Sequence, residues 1–87
     1  MTRIAIEKAL SELNDLQRTC DKFEDKAYDL FQAGNIKKSD FYDHKADRVG
    51  DKIDGYVSCL RSLCLNVWRN GSTGEWLIPE DDVIKAC

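Results

Sequence analysis

The chain is expected to be all-α: a long antiparallel helical hairpin, with helices at about residues 3–33 and 39–69 and a short C-terminal helix, dimerising into a four-helix bundle. The first observation behind this is a pair of heptad seams. Ile6, Ala9, Leu13, Leu16, Cys20, Phe23, Ala27 and Leu30 recur at alternating spacings of three and four, and so do Tyr42, Ala46, Val49, Ile53, Tyr56, Leu60, Leu63 and Val67. Such alternation gives a helix one buried stripe, and two stripes joined by one polar turn predict antiparallel helices. The second observation is composition: 43% hydrophobic and 33% charged residues with a single Pro fit a folded helical protein, and strands are not expected. The third is that the far end of the second arm is apolar nearly all round, from Tyr56 to Trp68, which a single neighbouring helix does not cover.

Taken in order, Thr2 is the candidate cap of the first helix, with Glu7 early in it where a carboxylate suits the helix dipole. Gly34 stops that helix after Ala33, and Asn35 to Lys38 supply the turn. Ser39 is taken as the cap of the second helix, with Asp40 in its first turn; Asn35 competes and would start the helix a turn earlier. Gly50 and Gly55 interrupt the second helix at a cost of roughly 1 kcal/mol each relative to Ala. Asn70-Gly71 reads as its stop. In the tail, Trp76-Leu77-Ile78 precede Pro79 and three acids, the pattern of a short helix at about 79–86.

The stretch Leu30-Phe31-Gln32-Ala33-Gly34-Asn35-Ile36-Lys37-Lys38-Ser39-Asp40-Phe41-Tyr42-Asp43-His44-Lys45 resembles the short helical-hairpin motif of bacterial SHOCT domains. In that motif a leucine-bearing helix ends at Gly, an Ile follows, and a second helix opens with an acid, an aromatic and a Lys. Lys37 stands where the motif has a capping Thr. The resemblance implies a tight helix-to-helix turn at this place.

A chain of 87 residues makes one domain, 1–87, divided into a hairpin (1–71) and an acidic tail (72–87). The arms are charge-balanced, so the tail holds the whole net charge of −3 through Glu75, Glu80, Asp81 and Asp82 against Lys85. Only Lys45, Arg48 and Lys52 line up as a basic strip, beside the acidic strip Asp43, Asp47, Asp51 and Asp54, so nucleic acid is not the expected partner. The start lacks the apolar core of a secretory signal and no stretch reaches the roughly 20 apolar residues of a membrane span, which predicts a cytoplasmic protein without a membrane partner. Asn70-Gly71-Ser72 matches a glycosylation acceptor that such a location leaves unused.

With the turn centred near Ile36, Cys20 falls beside Lys52 and Cys59 beside Leu13, about 10 Å apart along the axis and too far for a disulfide. Cys59 and Cys64 point in different directions on one helix, so packed thiols are expected, with terminal Cys87 exposed. His44 sits among surface charges, and neither it nor Cys-x4-Cys supplies a convergent zinc set. No nucleophile, base and acid assemble, and Gly71-Ser72-Thr73-Gly74 lacks the Lys of a phosphate loop, so neither catalysis nor a cofactor is expected.

The function these features imply is a non-enzymatic protein–protein interaction module, an adaptor or regulator of bacterial or phage type, acting as a homodimer. Its expected interface is Ile6, Leu10, Leu13, Leu60, Cys64, Val67, Trp68 and Trp76, with the tail, a second copy, both together or a foreign partner helix as the covering layer. Two alternatives stay open. One is an acidic inhibitor of a nucleic-acid-processing enzyme using Asp43, Asp47, Asp51 and Asp54 as a charged binding face; the other is an accessory nucleic-acid module using Lys45, Arg48 and Lys52.

Overall fold

In a computed structural model, which describes residues 2–86, the hairpin is built from α1 (Arg3–Gln32) and α2 (Ile36–Ser62). A small antiparallel ribbon follows, β1 (Trp68–Arg69) paired with β2 (Trp76–Leu77), and then the short helix α3 (Glu80–Ala86). The ribbon corrects the expectation of a chain without strands. Cys87 lies outside the described residues.

Capping fixes the ends of α1 as read from the sequence. The Thr2 hydroxyl accepts from the Ala5 amide at 3.1 Å, and Gly34, with φ of 82°, turns the chain so that the Asn35 amide reaches back to the Leu30 carbonyl at 2.9 Å. At the start of α2 the competing cap wins: the Asn35 side chain accepts from the Lys38 amide at 3.3 Å. Ser39 is instead buried inside the first turns of α2, where its hydroxyl donates to the Ala27 carbonyl across the hairpin at 2.8 Å.

That earlier start shifts the register. Ala27 faces Ser39, Cys20 faces Ala46 and Glu12 faces Tyr56, so the hairpin pivots on Ala33–Gly34 rather than near Ile36. Cys20 therefore lies against Ala46 and not beside Lys52, which places it still farther from Cys59 along the rod. Cys20, Cys59 and Cys64 are free thiols, the first buried and the other two exposed.

The largest departure is at the end of α2, which stops at Ser62 and not near residue 69. Cys64 adopts a left-handed conformation with φ of 62°, and Leu65 swings back so that its amide meets the Leu60 carbonyl at 3.1 Å, while the Cys64 amide meets that of Arg61 at 3.0 Å. This is the Schellman arrangement, with Cys where Gly is usual, and it is sealed by contact between two buried leucines, Leu60 and Leu65. From there the chain leaves the helix through a tight turn in which the Val67 amide donates to the Leu65 carbonyl at 2.9 Å, with Leu65 and Val67 buried and Asn66 and Trp68 exposed. The apolar girdle of residues 56–68 is thus a helix followed by a non-helical turn in which buried and exposed residues alternate up to the start of β1, and Asn70-Gly71 marks the ribbon's turn rather than a helix stop.

The tail folds back over one face of the hairpin near its open end. Leu65, Val67 and Val83 join Ile6, Leu13, Cys20, Ala46, Ile53, Val57 and Leu60 in one buried core. The far half of the rod is in this way covered by its own chain on one side. Among the described residues, no helix is long and apolar enough to cross a membrane.

Candidate interaction surfaces

The tail is held on α1 by side chains that read as plain helix exterior in the sequence. The Asn14 carboxamide accepts from the Trp76 amide at 2.7 Å and donates to the Trp76 carbonyl at 3.1 Å, so it stands in for a neighbouring strand on the free edge of β2. The Trp76 indole N–H donates to Gln17 at 3.0 Å, Gln17 donates to Asp21 at 2.9 Å, and Asp21 approaches the Arg69 guanidinium at 3.6 Å. Arg69 closes the chain by donating to the Gly74 carbonyl at 3.1 Å. Farther along, Asp82 accepts from the Asn66 amide at 2.9 Å, and Arg3 pairs with Glu80. Gln17 is buried and both its polar ends are used, which keeps a buried amide from being a cost.

On the opposite face the seam is open, and the heptads show it position by position. Ile6, Leu13, Cys20 and Ala27 on α1, like Ser39, Ala46, Ile53 and Leu60 on α2, are buried. Their heptad companions are not. Ala9, Leu16, Phe23 and Leu30 are only half-buried, as are Tyr42, Val49 and Tyr56, and Leu63 is exposed. Both seam positions are sealed in a complete bundle, whereas here one row of each helix is only half-covered. A groove runs along this row between Leu16 and Tyr56, edged by Glu12, Asp15, Thr19 and Lys52. Next to it Gly55, Tyr56 and Cys59 form a notch whose wall is almost wholly apolar. The Tyr56 hydroxyl donates to Glu12 at 2.6 Å, and that bond, followed by the Glu12 charge, raises the Tyr56 pKa.

Of the expected interface residues, Ile6, Leu13, Leu60 and Val67 are at most 3% exposed in one chain, because the tail and the partner helix already cover them. They cannot present a docking surface. Leu10 and Trp76 are half-buried beneath the tail contact, while Cys64 and Trp68 remain exposed at its edge. The half-exposed heptad row is the surface that the sequence contains but its reading assigned to the seam.

Charge is sorted across α2. At about 100° per residue, Asp40, Asp43, Asp47, Asp51 and Asp54 fall on one side, and Lys38, Lys45, Arg48 and Lys52 on the other, beside the open row. Of the three cations considered for nucleic acid, Lys45 is occupied: its ammonium lies 4.6 Å from the Phe41 ring centre, 5.5 Å from Phe23 and 5.7 Å from Tyr42. His44 is exposed. Among the described residues no group of three or more His, Cys, Asp or Glu converges to hold a metal ion.

Fold and surfaces together define a class: an antiparallel helical hairpin with a ribbon-and-helix tail pinned to one face and an unfilled seam on the other. Comparison with protein-family models, with curated proteins and with solved structures finds no match to the chain.

Proposed function

We propose that this chain is a non-enzymatic, cytosolic protein–protein interaction module that works as a homodimer, two hairpins packing through their open faces into a four-helix bundle. The observation that carries the reading is the split of the heptads into a buried row and a half-exposed row lying on the face away from the tail. A second copy offers the matching row. A two-fold axis makes one surface serve both partners, and the row runs along both helices, as an isologous contact requires. Rim charge also favours this pairing: α1 contributes Glu12 beside the row and α2 contributes Lys52, so α1 of one copy against α2 of the other brings opposite signs together. Residues outside the dimer contact remain to engage a further protein.

Thermal unfolding at different chain concentrations tests this. A dimer that unfolds to separate chains gains stability by mass action, so the midpoint should climb by several degrees from 1 to 100 µM, on the order expected for such linkage. The double variant Leu16→Gln with Val49→Thr should keep the helical circular-dichroism signal and lose the climb. A midpoint independent of concentration in the unaltered protein overturns the proposal.

A further inference from the structure

We infer that the end of the tail-bearing face nearest the helical turn is a docking groove for a cationic peptide segment with one large apolar anchor. Groove and dimer row lie on opposite faces, so the inference does not rest on self-association. Its floor is Ala27 and the buried Ser39, its apolar wall is Tyr28 and Phe31, and Glu24 and Asp43 stand at its two sides. Tyr28 is 64% exposed and Phe31 58%, two aromatic residues one helical turn apart and each more than half open.

Continuity with an existing interface identifies what would lie there. Asn14, Gln17 and Asp21 hold the protein's own tail, and Glu24, Ala27 and Tyr28 continue the same strip of α1 by one and two further turns. What the tail presents to that strip is an indole, from Trp76, and a guanidinium, from Arg69, with the guanidinium set against Asp21. Beyond the tail the strip keeps the same character, carboxylate beside apolar surface, but has no occupant. A segment with the same two elements, an aromatic or long aliphatic side chain and a flanking Lys or Arg, satisfies it.

Charge complementarity points the same way. On the turn half of this face the ionisable groups from both helices are Glu24, Asp25, Asp43 and Asp47, while helical spacing carries Lys22, Lys26, Lys38 and Lys45 to other sides. A cationic segment meets no like charge there, and an acidic one meets four. At about 300 Å³ and open to solvent, the groove is at the small end of ligand sites, which suits one anchoring side chain of a longer docked segment rather than an enclosed small molecule.

Selecting random linear peptides displayed on phage against the full chain tests the inference without presupposing a sequence. Enriched peptides should combine Lys or Arg with Trp, Phe or Leu. Their synthetic copies should shift the backbone amide resonances of Glu24, Tyr28, Phe31 and Asp43, and bind at least about tenfold more weakly to Tyr28→Ser with Phe31→Ser, as loss of aromatic anchors implies. Both positions are exposed, so that variant should retain its fold by circular dichroism. Asp51→Asn with Asp81→Asn removes two carboxylate charges outside the groove and should leave affinity within about twofold, as screened distant charge predicts. Failure to enrich any peptide, enrichment of acidic or uncharged ones, resonance shifts mapping elsewhere, or equal weakening by the distant-charge variant each overturns it.

Discussion

Cys64 takes a backbone conformation that side chains disfavour: its φ of 62° puts a Cβ where only Gly is free of steric cost, a penalty of roughly 1–2 kcal/mol. Cys64→Gly should therefore stabilise the fold by about 0.5–1 kcal/mol in urea unfolding once glycine's larger unfolded-state entropy is subtracted. An unchanged or lowered stability would show that the left-handed turn is not what ends α2. The same residue explains why that end was not legible: the usual glycine is missing at 64 and present at 71, so the stop was placed a turn and more too late. Asn14 and Gln17 were illegible for another reason, since a polar residue on a helix exterior carries no sign that a distant strand edge will come to it. Asn14→Ala strips the Trp76 amide and carbonyl of their partner and should cost about 1–3 kcal/mol, with proteolysis within residues 65–86 rising first. Cys20 adds a pH dependence. Burial foremost, then the neighbouring Glu24 carboxylate, raises its pKa from the ordinary 9.0, so the fold favours the neutral thiol. That contribution is fully present below pH 9 and is lost as pH rises through the raised value. At pH 8 a maleimide should label Cys59 and Cys64 quickly and Cys20 only as fast as the chain opens; mass mapping of equal labelling at Cys20 would contradict its burial.

At the scale of elements, the two long helices were legible because periodicity reports burial directly. Alternating spacings of three and four gave the seam rows, and Thr2 and Gly34 gave both ends of α1, whereas α2 starts at the competing Asn35 and not at Ser39. The ribbon escaped because the run from Tyr56 to Trp68 mixes two periods. Up to Leu60 the burial follows helical spacing, and from Leu65 to Trp68 buried and exposed residues alternate singly through a non-helical turn into β1. Read as one helix, the two periods superpose into a surface apolar all round. Two-residue strands are also too short to show a pattern of their own. Within α2, Gly50 lies in regular helix, and a Cβ added there meets nothing within 4 Å. Gly50→Ala should raise stability by about 0.5–1 kcal/mol with an unchanged denaturant slope, since it removes unfolded-state entropy without a new clash. A drop in stability would mean that the tail approaches α2 more closely than this packing has it. Leu60→Asp, in contrast, buries a carboxylate in the apolar core and should unfold the chain rather than only separate copies.

The whole molecule is a slab measuring 51 × 23 × 16 Å. Its length is that of a 30-residue helix and its breadth that of two helices side by side; its depth, little more than one helix, leaves a second layer only partly built by the tail. That the apolar far end needs a covering layer was legible in the sequence, and the tail was one of the candidates visible there. Which side the tail covers was not, because helical spacing says which residues share a face and not which face a tail will choose. The tail takes the side of Asn14, Gln17 and Asp21, and the row Ala9, Leu16, Phe23, Val49 and Tyr56 is left half-exposed, the surface that the proposed dimer assigns to a second copy. Sedimentation equilibrium of the unaltered protein at 10 to 100 µM tests that division most directly. The account predicts a mass twice the 10.0 kDa of one chain, falling to the single-chain value in Leu16→Gln with Val49→Thr while the helical signal persists. A well-folded 10.0 kDa species throughout that range would contradict it.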